Sequence, residues 1–265
     1  MRKSALFSGT LVVLVGIILL AVNLGVVGTA IWSFFWPLVL ILLGIWFIAA
    51  PHQRKGEIKA VGRSILLENE TQAEIHFNYG AGVMVVEPSD KPGELIGGTF
   101  VGGITDDVKR SGGKVFVKLS PPSESIYAGS WFYHPQGINW TVGVTKEIPL
   151  NLNFHTGACE AKLDLVDLQV SELTLETGAS STEVHLPKNA GFTRMVVKSG
   201  AAAVRIFIPQ GVSATIRESS GLSGINIDTN RFLQNGHTYQ SIDYETAANK
   251  VDISYEGGVG SVEIK

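Results

Sequence analysis

Six histidines, one cysteine and a few closely spaced acids are the residues of this 265-residue chain that could do chemistry. His52, His76, His134, His155, His185 and His237 are scattered, and none pairs with another at an H-x-x-x-H spacing that would aim two imidazoles at one metal. A lone cysteine, Cys159, excludes an internal disulfide framework and a cysteine-based zinc cluster. Asp106-Asp107 and the pair Asp164 and Asp167 are the nearest approach to a glycosidase dyad. That chemistry needs two carboxyls facing each other across a cleft, whereas adjacent acids in glycine-rich turns are usually solvated. The glycine pairs follow no G-x-G-x-x-G or P-loop pattern opening a helix, so nothing supports phosphate binding. A net charge of -3 with no basic stripe argues against a nucleic-acid partner. The expectation is a protein without catalytic residues, metal ligands or a cofactor site.

One segment is unusual. Residues 125–135 concentrate aromatics in an expected loop, and Trp140 follows. Two readings stay open: the loop folds back and caps the core, or Trp131, Phe132, Tyr133 and Trp140 form an exposed patch that docks on a partner.

The elements that would position these residues divide sharply. From Ser4 to Gln53 there is no Asp, Glu, Lys or Arg. Two apolar runs, 5–27 and 31–50, each have about the twenty residues a helix needs to cross a hydrocarbon core. The chain between them is too short and apolar for anything but a turn. Trp32, Trp36 and Trp46 lie near the ends of the second run, where amphipathic rings favour the interface. Arg2-Lys3, an apolar stretch and Gly28 and Ala30 also fit a cleaved signal peptide, but the stretch is long for that and a second span follows at once. The expected organisation is a two-helix membrane anchor over 1–53 and an all-β domain over 57–265. Arg2 and Lys3 precede the first span and Arg54, Lys55, Lys59 and Arg63 follow the second. By the positive-inside rule a multi-pass protein of the plasma membrane results, with its β domain in the cytoplasm.

The C-terminal part repeats. Gly157-Ala158, Gly178-Ala179, Gly200-Ala201 and Gly221-Leu222 open similar blocks 21, 22 and 21 residues apart, with Gly80-Ala81 and Gly258-Val259 as outlying copies. The fourth residue after each glycine is Met84, Ala161, Thr182, Val204, Ile225 or Val262. The sixth is Val86, Leu163, Val184, Ile206, Ile227 or Ile264. Between them come polar residues such as Lys162, Glu183, Arg205 and Glu263. Period-two alternation recurring in register marks half-buried strands. A second strand is expected five residues before the glycines, at Leu173, Met195, Ile216 and Ile253. Each glycine is read as taking a turn conformation forbidden to other residues. On the same parity Cys159 faces inward, as a small buried hydrophobe rather than a nucleophile, and His185 faces solvent. Stacked copies bury a continuous core that one copy cannot, which predicts a single-stack β-solenoid-like sheet. Further strands are expected at 94–101, 114–119 and 139–148, around an irregular loop at 121–137. The last copy, Gly258 to Lys265, has no obvious cap and is expected to leave an open edge.

Asn23-Leu24-Gly25 and the run Trp36-Pro37-Leu38-Val39-Leu40-Ile41-Leu42-Leu43-Gly44 resemble the membrane module of LiaI/LiaF-type proteins. The Thr-Gly-Ala and Ser-Gly-Ala repeat starts resemble the toastrack β-repeat domain of LiaF and PspC relatives. That resemblance implies a non-enzymatic role in cell-envelope stress, with the bilayer and a membrane-associated protein, such as a sensor kinase, as partners. It carries over no catalytic residues. A membrane-attached scaffold or adhesin-like module that self-associates through its open end is the alternative.

Overall fold

A computed structural model describes residues 37, 39–41, 60–122 and 138–265. The chain divides after Lys55 into two units. Of the two expected spans only Pro37 and Val39, Leu40 and Ile41 are described, and they are helical; the rest of both spans lies outside the described residues. All the strands among the described residues lie in the second unit.

Those strands are β1 (Ala60–Leu66), β2 (Gln72–Pro88), β3 (Glu94–Val101), β4 (Thr105–Ser111), β5 (Lys114–Ser120), β6 (Asn139–Val144), β7 (Leu150–Asp164), β8 (Val170–Thr177), β9 (Ser181–His185), β10 (Phe192–Phe207), β11 (Ser213–Ile227), β12 (Leu233–Asn235), β13 (Thr238–Gln240) and β14 (Lys250–Ile264). The long strands β2, β7, β10, β11 and β14 each carry one repeat glycine near the middle, and in the Gly178 copy the strand is broken there into β8 and β9. At the glycine the buried parity flips. Ile75, Phe77 and Tyr79 face the core before it, and Met84 and Val86 after it. An alternating strand changes parity only where an extra residue bulges or bends it. The halves also take different neighbours: the first half of β2 pairs with β5 and the second with β6. Two rows of parallel half-strands thus share one core.

The rows read from the alternation are neighbours in space. Met84 pairs with Ala161, Ala161 with Thr182, Thr182 with Val204, Val204 with Val262, and Val262 with Ile225. The earlier row, Leu173, Met195, Ile253 and Ile216, is in register too, and all four are buried. Outside runs a ladder of alternating charge, Lys162 to Glu183 to Arg205 to Glu263. A slip of one residue would turn the apolar rows to solvent, so the register is strongly specified.

Three expectations are corrected. The last copy is not an open edge: β14 lies between β10 and β11 and pairs in parallel with both along its length. The path of the sheet runs β10-β14-β11, and the residues between β11 and β14 fold as the β12–β13 hairpin, which covers Thr215–Arg217 of β11. Second, the repeat glycines do not adopt positive φ; Gly82 and Gly260, two residues on, do. Close approach is the reason for glycine there. A Cβ on Gly157 would sit 2.3 Å from the carbonyl oxygen of Gly80, on Gly178 3.0 Å from that of Gly157, and on Gly200 3.0 Å from that of Gly178. Third, Asp106-Asp107 belong to a strand, β4, which was not expected and pairs antiparallel with β5. The turn joining them, Gly112-Gly113, has φ of 58° and 75°, the pair of positive values that a tight two-residue hairpin turn demands.

Both ends of the stack are pinned by arginines. Arg63 of β1 makes a two-pronged bond to Asp106 of β4, at 3.0 and 2.8 Å, which links the outermost strands of the two rows. Arg110 donates to Glu70 at 2.6 Å and to the carbonyl of Leu66 at 2.8 Å. At the far end Arg231 donates to the carbonyls of Ile208, Pro209 and Val212, at 2.6, 2.7 and 2.9 Å.

Candidate interaction surface

Among the described residues, the candidates assemble no catalytic constellation. Asp106 and Asp107, being adjacent on a strand, point to opposite faces, toward Arg63 and Lys109 respectively. Asp164 accepts a hydrogen bond from the backbone N–H of Val166. Asp167 meets Lys188 at 2.6 Å, and that bond holds its carboxyl below the usual aspartate range. These acids are tied into separate surface contacts rather than aimed across a cleft. Among the described residues, no group of three His, Cys, Asp or Glu side chains could hold a metal ion.

Cys159 is buried, 6% exposed, where the alternation places it. Burial pushes its thiol up, which disfavours the nucleophilic thiolate. The four described histidines each meet a glutamate: His76 and Glu74 at 2.7 Å, His155 and Glu176 at 3.0 Å, His185 and Glu183 at 2.9 Å, and His237 and Glu218 at 2.6 Å. His185 lies on the outer face as expected and stacks on Phe207. His52 and His134 lie outside the described residues.

The aromatic patch divides. Trp131, Phe132 and Tyr133 lie outside the described residues. Trp140, grouped with them as a partner contact, is corrected to a core residue. It is 1% exposed on β6, where Trp140, Val142 and Val144 alternate inward. Its ring packs against Tyr79 at 5.0 Å and edge-on against Phe100 at 5.3 Å.

What the fold does build is a surface missed by sequence reasoning. The stacked glycines leave an open trough of about 830 Å³ where the two rows meet, lined by His155, Glu176, Lys198, Ser219 and Glu256 beside Gly200, Gly257 and Gly258. These side chains stand two residues before successive repeat glycines, on neighbouring strands in register. His155 and Lys198 flank Glu176, the lysine at 3.4 Å. Behind them the inward hydroxyls bond to one another, Thr156 to Thr177 at 2.9 Å and Ser199 to Tyr255 at 3.0 Å. That internal bonding satisfies polar groups at the bend and holds the wall rigid. The trough is shallow, polar and of mixed charge, with its groups spaced by the distance between strands. Such a surface suits protein contact better than enclosure of a small molecule, because ligand pockets are mostly apolar and bury their occupant.

Comparison with known proteins follows the same division. The model of the LiaF transmembrane domain matches residues 7–83, so this is a membrane protein. The model of the N-terminal domain of toast_rack, DUF2154, matches residues 53–207, more than half of the chain. Among proteins of curated function none matches. A solved structure of a candidate cell adhesion protein from Clostridium sporogenes is 18% identical with a TM-score of 0.70, over 78% of this chain and 99% of that one. At that identity the likeness shows a common fold. A candidate adhesin from Bacteroides fragilis aligns over 78% of this chain and 97% of that one, at 7% identity and a TM-score of 0.30. With its stacked glycine-bent strands and its two family matches, the chain belongs to the toast_rack N-terminal domain family, here joined to a LiaF-type transmembrane domain.

Proposed function

We propose that this chain is a non-enzymatic, membrane-attached regulatory protein of the cell-envelope stress response. In this reading the β stack is a rigid platform that binds a membrane-associated partner, such as a sensor kinase. The observation that carries it is the succession of a LiaF-type membrane domain and a toast_rack domain in one chain. The trough supports it as the binding face, since its charged wall is fixed by register rather than by mobile loops. A two-span anchor is in keeping with the uncharged run from Ser4 to Gln53. The basic residues flanking that run favour a cytoplasmic β domain.

The test is recovery of cross-linked partners from membranes of stressed and unstressed cells, with the wild type and with a Glu176→Lys, Lys198→Glu variant. A membrane-associated protein captured by the wild type and lost with the variant supports the reading. Capture that is unchanged by the variant removes the trough from it, and no specific capture under any envelope stress removes the reading itself.

A second reading, an adhesin-like or scaffolding module outside the cell, draws on the fold shared with the Clostridium sporogenes protein. One labelling experiment separates the two. With Cys159→Ala and a cysteine at the exposed position Lys162, an impermeant thiol reagent should label the chain only after lysis if the domain is cytoplasmic. Labelling of intact cells would favour the external module.

A further inference from the structure

The edges of the sheet are protected unequally. A bare edge strand pairs with other chains unless charge, proline, shortness or a covering segment blunts it. β4 carries Asp107, Lys109 and Arg110, and β12 and β13 are three residues each. The second half of β11 contains Gly221 and Gly224, which weaken a strand. β1 is protected less: it carries one charge, Arg63, one glycine, Gly62, and an irregularity of register between Ile65 and Leu66, with no proline and no covering segment among the described residues. Among the described residues it pairs on one side only, with β3. All its residues but Ile65 are exposed, including Val61 at 41% and Leu66 at 63%. Its single charge, Arg63, is already engaged by Asp106. β1 also lies inside the stretch matched by both family models, so its edge is tethered close in sequence to the membrane domain.

We propose that β1 is a self-association edge, through which two copies in one membrane pair antiparallel about a twofold axis near Gly62 and Arg63. A twofold axis there places the same strand opposite itself. Because each Arg63 is neutralised by its own Asp106, the pairing brings no bare like charges together. The inner row begun by Ile65 and Val61 then continues into the second copy and covers Val61. Confinement to one bilayer raises the effective concentration enough for a short edge to suffice. The inference rests on membrane attachment and not on the identity of any regulatory partner. A chain that dimerises through β1 yet captures no partner keeps the dimer and loses the regulatory reading; the converse result does the opposite.

The experiment uses the full chain in native membranes, with Cys159→Ala and Gly62→Cys, followed by oxidation. A side chain at Gly62 meets nothing within 4 Å in the monomer, so the substitution is accommodated. A disulfide-linked dimer should form at Gly62→Cys and fall about tenfold when Val61→Lys is added, a loss of about 1.4 kcal/mol in association. Asn226→Cys, exposed on β11, should stay monomeric in the same oxidation. Absence of a dimer at Gly62→Cys, a yield indifferent to Val61→Lys, or equal cross-linking at Asn226→Cys would each overturn the proposal.

Discussion

Replacing Gly157 with alanine isolates the reason for the glycine ladder. Gly157 does not adopt positive φ, so alanine meets no backbone penalty of its own and gains about 0.5–1 kcal/mol over glycine in a strand. Against this, the new Cβ lies 2.3 Å from the carbonyl oxygen of Gly80, so backbone must move by roughly an ångström to reach ordinary contact. β7 is paired on both sides, by β2 and by β8 and β9, and the bend is held by Gly178 N–H to Thr156 O and Ala179 N–H to Gly157 O, both at 3.0 Å. Overpacking of this kind costs about 1–3 kcal/mol, for a net loss of up to about 2.5 kcal/mol. Gly221 is the control, because its Cβ would sit 3.4 Å from the carbonyl oxygen of Gly258, which is ordinary contact. Gly221→Ala should therefore be neutral or gain up to about 1 kcal/mol. At roughly 2–4 °C per kcal/mol for a domain of this size, thermal unfolding of the full chain in detergent, followed by far-UV circular dichroism, resolves the two. Gly157→Ala unfolding at or above the wild-type temperature would refute close approach as the cause of the repeat.

Three further outcomes are expected. Arg231→Met leaves the carbonyls of Ile208, Pro209 and Val212 without their donor; it should cost about 1–3 kcal/mol in denaturant unfolding, and an unchanged midpoint would show that the clasp is idle. Burial pushes the Glu70 carboxyl up, but the backbone N–H groups of Glu68 and Glu70 and the Arg110 guanidinium outweigh it, so the folded value lies below the ordinary one. Its contribution is then complete above the unfolded value of about 4.3 and is lost as pH falls through the folded value, so the stability gap between wild type and Glu70→Gln should close in acid; a gap independent of pH would contradict the sign. Cys159 should resist thiol reagents in the folded protein and react on unfolding, as followed by mass shift; rapid labelling of the native chain would contradict its burial.

Period-two alternation was enough to place the core rows in the repeats, because each row repeats the same inward parity and cross-strand register follows from stacking equal units. Residues such as Met84, Val204 and Val262 were therefore legible together, as was the burial of Cys159. The position of β14 was not. Parallel copies that match in register offer no local signal of order, and only pairing across the sheet distinguishes β10-β11 from β10-β14-β11. β4 escaped because Asp106, Asp107, Lys109 and Arg110 look like a solvated turn; as a sheet edge, the strand tolerates charge on both faces. Trp140 was misjudged by its neighbours in sequence, although its spacing from Val142 and Val144 gave the inward parity. The trough was invisible because its wall takes one residue from each of several copies, two positions before the glycine, where residue types differ from copy to copy.

The insertion of β14 between β10 and β11 also sets the order in which the domain can be completed. During synthesis β11 leaves the ribosome before the strand that will separate it from β10 has been made. Because the copies share one register, β11 can meanwhile settle directly on β10, with Ile216 against Met195 and Ile225 against Val204, the partners β14 will later claim. A β11 placed there would have to leave before β14 could take its native position between the two. The β12–β13 hairpin, made before β14 and paired with Thr215–Arg217, gives β11 a companion to wait with. Long-range parallel pairing of this kind is slow to form, because loop closure comes before the contacts that reward it.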